Sequence, residues 1–190
     1  MSKRLFIAIK PNAEILQGLK SFQDQLKQAL PYTGIRWVNP NLMHLTIQFL
    51  GETDDKHLIK LSSSLELALK GAETFEQIFQ DAGTFGSGRS VRVIWVGAQD
   101  TPPLRDIYKR VLEATNILEL EQKPRFSPHL TLARIADWAN SHEKSSIFQH
   151  MRGLTDLCFG SQVITSIDLV ESMLTRSGPV YKTYRKFNFG

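Results

Sequence analysis

The stretch Leu42-Met43-His44-Leu45-Thr46-Ile47-Gln48-Phe49-Leu50-Gly51 carries the tripeptide His-Leu-Thr, which recurs as His129-Leu130-Thr131 in Arg125-Phe126-Ser127-Pro128-His129-Leu130-Thr131-Leu132-Ala133-Arg134. Both copies lie in short runs rich in Leu, Ile, Thr and Phe bounded by Pro or Gly, which is the pattern of a strand. In a strand, residues i and i+2 share a face at a spacing of roughly 7 Å. Each copy therefore sets an imidazole beside a hydroxyl, with Leu45 or Leu130 turned into the opposite layer. Two such pairs facing one another across a groove would form a small, nearly symmetric polar site.

Outward from the first copy, residues 5–9 and 35–38 read as strands. Residues 13–30 read as a helix, capped by Asn12 and buried along Ile15, Leu16, Leu19, Phe22, Leu26 and Leu30. After Gly51, Thr53 caps a helix over 54–70, and a strand over 75–81 leads to a glycine-rich loop at 83–88. Residues 91–96 then give a strand, and Thr101-Pro102-Pro103 opens a helix with Leu104, Ile107, Val111 and Leu118 on one face. The second His-Leu-Thr strand, a helix over 141–152 and a strand over 160–171 complete the series. The two histidines are 85 residues apart (129 − 44), and the same offset carries helix 54–70 onto 139–155 and strand 75–81 onto 160–166. This spacing predicts one bilobal domain over 1–190, duplicated as halves of about 1–82 and 89–190. A terminal hairpin of residues 169–173 and 180–187 turns at Ser177-Gly178-Pro179.

Composition narrows the setting. The 190 residues are 42% hydrophobic and 22% charged, the balance of a globular protein. A net charge of +4 favours anionic partners, but no Lys/Arg block resembles a nucleic-acid-binding tail. The one cysteine, Cys158, excludes an internal disulfide and a thiolate metal cluster. The short apolar run after Met1-Ser2-Lys3-Arg4 is no signal peptide, and no run is long enough to span a membrane, so the expected setting is the cytoplasm and the expected state a monomer.

The paired motif suits phosphodiester hydrolysis without a metal or organic cofactor. A neutral imidazole takes a proton from the attacking water while an imidazolium gives one to the leaving oxygen, and histidine does both near its ordinary pKa of about 6.5. The Thr46 and Thr131 hydroxyls can donate to the non-bridging phosphoryl oxygens. A zinc site on His44 and His129 is the other reading. It needs a third His, Asp, Glu or Cys ligand, and the adjoining threonines are poor donors to zinc.

These motifs resemble the two signatures of the two-histidine phosphoesterase superfamily, each of the form His-x-Thr. Pro128 before the second histidine and Arg134 after it point to the RNA 2′,3′-cyclic phosphodiesterase branch, also called 2′-5′ RNA ligase-like. The resemblance runs from the Phe6-Ile7-Ala8-Ile9 strand to the C-terminal Glu171-Ser172-Met173-Leu174-Thr175-Arg176 segment and beyond. It implies an α+β, bilobal, pseudo-twofold fold with two antiparallel sheets around a central cleft and helices outside. It also implies opening of a terminal 2′,3′-cyclic phosphate to a 2′-phosphate, with reversible 2′-5′ ligation in some members and small cyclic nucleotides as substrates of others.

On this resemblance His44 and His129 form the catalytic pair, Thr46 and Thr131 hold the phosphate, and Arg134 stabilises it. In a regular strand Arg134, five residues past His129, faces away from the cleft and reaches it only if the strand bends. Gln48 shares the parity of His44 and is placed in the groove, while Phe49 has core parity. Arg36, Trp37 and Phe126 precede the motif strands and are placed as contacts to RNA backbone or bases, with core packing the competing reading for the two aromatics. The expected partner is RNA ending in a 2′,3′-cyclic phosphate. The alternatives are small cyclic nucleotides or ADP-ribose cyclic phosphate, or an RNA-binding module without turnover.

Overall fold

The computed structural model describes residues 2–119, 126–176 and 178–190. Its strands are β1 (Ser2–Ile9), β2 (Ile35–Trp37), β3 (Leu45–Asp54), β4 (Phe75–Phe85), β5 (Val93–Ala98), β6 (His129–Ile135), β7 (Cys158–Ile164), β8 (Ser166–Thr175) and β9 (Gly178–Asn188). The helices are α1 (Ala13–Ala29), α2 (Asp55–Leu69), α3 (Pro102–Thr115) and α4 (Ser141–Arg152).

Each helix starts where a side chain takes up free backbone N–H groups. Asn12 accepts from the Ile15 amide at 2.9 Å, Thr101 from Leu104 at 3.4 Å and Asn140 from Glu143 at 2.9 Å. At α2 the cap is Asp54, accepting from the His57 amide at 2.8 Å, and not the expected Thr53, which is buried. The apolar stripes then fix which face goes inward: Ile15, Leu19, Phe22 and Leu26 of α1, Leu58, Leu61, Leu65 and Leu69 of α2, Leu104, Ile107 and Val111 of α3.

The strands order as β7-β4-β5-β6-β3-β1-β8-β9, every neighbouring pair antiparallel, with β2 along the far end of β6. One half-sheet carries His129 and the other His44. They meet at one residue pair, Leu45 to Leu130. Both leucines are fully buried in the core shared with the helices, so the leucine of each tripeptide closes the back of the sheet. The order is palindromic about that seam, and strands cross between halves: β4 pairs with β5, and β8 pairs with β1. The expected strand over 160–171 is two strands, and by sheet position β8, not β7, is the counterpart of β4. β4 also runs four residues past the expected end, so Gly83 lies in a strand against Trp95 and not in a loop.

Both motif strands carry a bulge just past the threonine. In β3, Ala8 pairs with Thr46 but Ile7 with Gln48, leaving Ile47 extra. In β6, Trp95 pairs with Thr131 but Ile94 with Ala133, leaving Leu132 extra. A bulge shifts the strand by one residue and inverts the facing of everything after it. The β6 bulge is secured by the fully buried Gln23 of α1, whose Nε2 donates to the Leu132 carbonyl at 3.1 Å and to the Val38 carbonyl at 2.7 Å. Replacing Gln23 by Leu removes a donor from two interior carbonyls, which should lower stability by about 1–3 kcal/mol. Chemical denaturation would read this as a lower midpoint at unchanged slope.

Candidate active site

His44 lies at the entry of β3 and His129 opens β6, so the Leu45–Leu130 seam brings the two imidazoles to the centre of the sheet, on the face away from the helices. Each ring is fixed in the same way. His44 Nδ1 is 2.7 Å from the Leu42 carbonyl oxygen, and His129 Nδ1 is 2.7 Å from the Ser127 carbonyl oxygen. A carbonyl only accepts, so Nδ1 carries a proton in both rings. Nε2 is then the atom left for a substrate, a lone pair in the neutral ring and an N–H in the imidazolium.

Burial holds both imidazoles below the ordinary histidine pKa, against the opposing pull of the two backbone bonds. The positive charge of Arg134 adds to the depression at both rings. His129 and Lys10 add to it at His44. The two histidines and Arg134 therefore share one electrostatic neighbourhood. Packing holds the rings further. Phe6 stacks on His44 at 4.7 Å between centroids, Tyr181 meets it edge-on at 5.3 Å, and Phe85 meets His129 edge-on at 4.7 Å.

Thr46 and Thr131 are half-buried and stand two residues on from their histidines, before either bulge. Arg134 lies past the β6 bulge, and the inversion turns it to the histidine face. Gln48 lies past the β3 bulge, and there the groove placement fails: it is buried on the helix side, its Oε1 accepting from the Thr115 hydroxyl of α3 at 2.9 Å. The same inversion overturns the core placement of Phe49, which is 62% exposed, pairs with Phe6 and lies 6.1 Å from its ring. Phe49 and Arg134 each stand five residues past a motif histidine.

Arg36 is exposed and pairs directly with Arg134, so both project from one face. Trp37 pairs with the buried Ala133, packs against the core and has Lys27 of α1 6.0 Å from its ring centre, which removes it from the cleft. Phe126 stacks on Tyr108 at 4.2 Å and lines a cavity of about 640 Å³ beside His129. A smaller cavity of about 140 Å³ lies beside His44, lined by Phe6, Lys10 and Tyr181 among others. Sequence reading missed Phe6, Tyr181, Phe85 and Lys10. Tyr181 arrives through the β8–β9 hairpin, a placement with no local signal, whereas Phe49 was within reach of the 85-residue offset applied to Arg134. Among the described residues no third His, Cys, Asp or Glu joins the two histidines in a metal-ligand cluster.

A curled antiparallel sheet presenting two His-x-Thr motifs at its centre is the architecture of a phosphoesterase. Residues 9–95 match the family described as LigT like Phosphoesterase. An RNA 2′,3′-cyclic phosphodiesterase of Methanocaldococcus jannaschii is 31% identical over 184 residues, covering 97% of this chain and 99% of that protein. One of Aeropyrum pernix is 32% identical, over 84% of this chain and 90% of its own length. The chain belongs to the LigT-like, two-histidine phosphoesterase family, and it is a hydrolase. Among solved structures, a Thermus thermophilus protein aligns at a TM-score of 0.80 with 25% identity, covering 98% of this chain and 97% of that one. Escherichia coli LigT complexed with 3′-AMP aligns at 0.78 with 23% identity, over 100% and 99%.

Because a nearby cation disfavours the imidazolium, removing Arg134 should raise the pKa of both histidines. In an NMR titration of the ring protons, His44 and His129 of the unliganded protein should titrate below about 6.5. Both midpoints should move up in Arg134→Ala, whereas an arginine pointing away would leave them in place.

Proposed function

We propose that the protein hydrolyses the 2′,3′-cyclic phosphate at an RNA terminus to a 2′-phosphate, using His44 and His129 as acid and base without a metal or organic cofactor. The observation that carries this reading is the matched anchoring of both Nδ1 atoms to backbone carbonyls, which reserves both Nε2 atoms for proton transfer. His129 Nε2 takes a proton from water as its oxygen attacks phosphorus. His44 Nε2–H gives a proton to the departing ribose 3′-oxygen. The Thr46 and Thr131 hydroxyls and the Arg134 guanidinium hold the charge that accumulates on the non-bridging oxygens. The acid is assigned to His44 because the exposed face of Phe49 and the Phe6 ring lie on that side, where the terminal base can stack and bring its ribose beside His44.

RNA is favoured over a small cyclic nucleotide by Arg36 and Arg134. Like charges directly opposite one another across two strands cost stability, and an anion between them offsets that cost. The scissile phosphate held by Arg134 supplies part of that charge, and the exposed Arg36 beside it is left for a further phosphate along an RNA chain, which a nucleoside 2′,3′-cyclic phosphate lacks. The relatives named RNA 2′,3′-cyclic phosphodiesterase agree with this choice. When a ribose 5′-hydroxyl replaces water, the same proton transfers join two RNA ends through a 2′-5′ linkage.

A short RNA ending in a 2′,3′-cyclic phosphate, incubated in excess EDTA, should yield a 2′-phosphate. His44→Ala and His129→Ala should each lower kcat by roughly 100- to 10,000-fold, the usual worth of a positioned acid or base. A 3′-phosphate product, or turnover abolished by EDTA, would refute the mechanism. Phe49→Ala should raise KM by about 10-fold with kcat kept, as loss of one stacked base implies.

A further inference from the structure

An aromatic floor lies on the opposite side of the phosphate position from Phe49. Trp95 pairs with Thr131 on one flank and with Gly83 on the other. A Cβ at Gly83 would stand 2.6 Å from Trp95 Cζ2, and one at Gly97 would stand 3.5 Å from Cζ3. The indole therefore lies flat over two positions where the sheet has no side chain. Its half-buried ring lines the cavity of about 640 Å³, together with Phe85 and Phe126. Ser127, whose carbonyl anchors His129, and Pro128 belong to the same wall, and Phe85 of that lining meets the His129 ring edge-on, so the cavity opens next to this histidine.

The charges there differ from those around Arg134. Among the described residues the lining carries the carboxylates of Asp81 and Asp100 and one cation, Arg105, which is ion-paired with Asp100. The described part of this lining offers no unpaired cation to hold a phosphate. It suits a flat, uncharged ring system with hydrogen-bonding edges, for which Gln80 and Gln99 offer amide partners.

We infer that the Trp95 cavity is a site for an uncharged nucleoside, its base stacked on the indole and its 5′-hydroxyl beside His129. The inference rests on the reading of His129 as the base. His129 Nε2 takes the 5′-hydroxyl proton as the 5′-oxygen bonds to phosphorus. The bond from phosphorus to the 3′-oxygen breaks, and His44 protonates that oxygen. Occupancy of this site then sets how much cyclic phosphate is transferred to a nucleoside and how much to water.

The first test is calorimetric binding of 5′-deoxyadenosine, which lacks the reacting hydroxyl, with inorganic phosphate present to fill the histidine site. The wild type should bind it. Trp95→Ala should bind about 10-fold or more weakly, in line with the loss of one base–aromatic stack. Gly83→Ala keeps the indole but pushes it off the floor, and it should weaken binding too, which guards against poor folding of the tryptophan variant. No binding, or binding that depends on Phe49 and not on Trp95 or Gly83, would overturn the assignment. The second test adds adenosine to the reaction on cyclic-phosphate RNA. Trp95→Ala should lose about 10-fold or more of the 2′-5′ transfer product relative to hydrolysis. An unchanged ratio would also overturn it. Binding that depends on Trp95 without any RNA hydrolysis would refute the phosphodiesterase reading and leave the nucleoside site standing.

Discussion

The structure depends on how little holds its two half-sheets together at the front. β3 and β6 share one residue pair, Leu45 with Leu130, where other neighbouring strands share ladders of up to ten. A long ladder would carry the sheet smoothly across the seam. A single pair lets the half-sheets turn relative to one another, each keeping its own twist. What holds the seam is behind it: both leucines are fully buried, with α2 and α3 packed together against β3. Since alternate residues of a strand face opposite ways, burying the leucines forces the flanking histidine and threonine of each copy to the front. The spacing within each His-x-Thr pair is thus a by-product of closing the core.

The alternation that makes the tripeptides readable also marks where reading by parity stops. Up to Thr46 and Thr131 the period of two holds. One residue later both strands bulge, and counting from the histidine puts Gln48 in the cleft, Phe49 in the core and Arg134 outside, all three inverted. The two bulges fall at matching positions of the repeat. A site arginine at the wrong parity in the second copy therefore signals a bulge in both, and the 85-residue offset moves Phe49 into the cleft. The helices were legible because their signals are local: a capping side chain, then an apolar stripe. Strand partnership was not, because β4 and β8 cross to the opposite half, and no local pattern records which edge a strand will find. Tyr181 reaches His44 by that route alone.

Pseudo-symmetry supplies two equal histidines, and the proposed division into acid and base needs them unequal. The differences come from positions around the repeat. Five residues past the histidine, one copy carries an aromatic ring and the other a guanidinium. Across from the threonine, the first copy has Ala8 and the second has Trp95. Lys10 sits near His44, tethered to Asp168 at 3.0 Å and to the Thr183 hydroxyl at 2.6 Å, and it adds to the depression of that imidazole. At His129 the added positive charge is that of Arg134.

These cations give substrate binding a second effect. Before an anion binds they oppose imidazolium formation, as burial does, so both rings lean toward the neutral form. On the proposed reading, a phosphate anion seated among Arg134, Thr46 and Thr131 would screen the same cations and attract the proton that one histidine needs to act as acid. Linkage makes this reciprocal: the anion raises proton affinity by as much as the proton raises anion affinity. Depressed imidazole pKa values in the free protein are thus compatible with the proposed acid–base catalysis, because a bound anion favours the proton that the acid needs. A single exposed arginine thus acts on both rings, and the charge of His129 acts directly on His44.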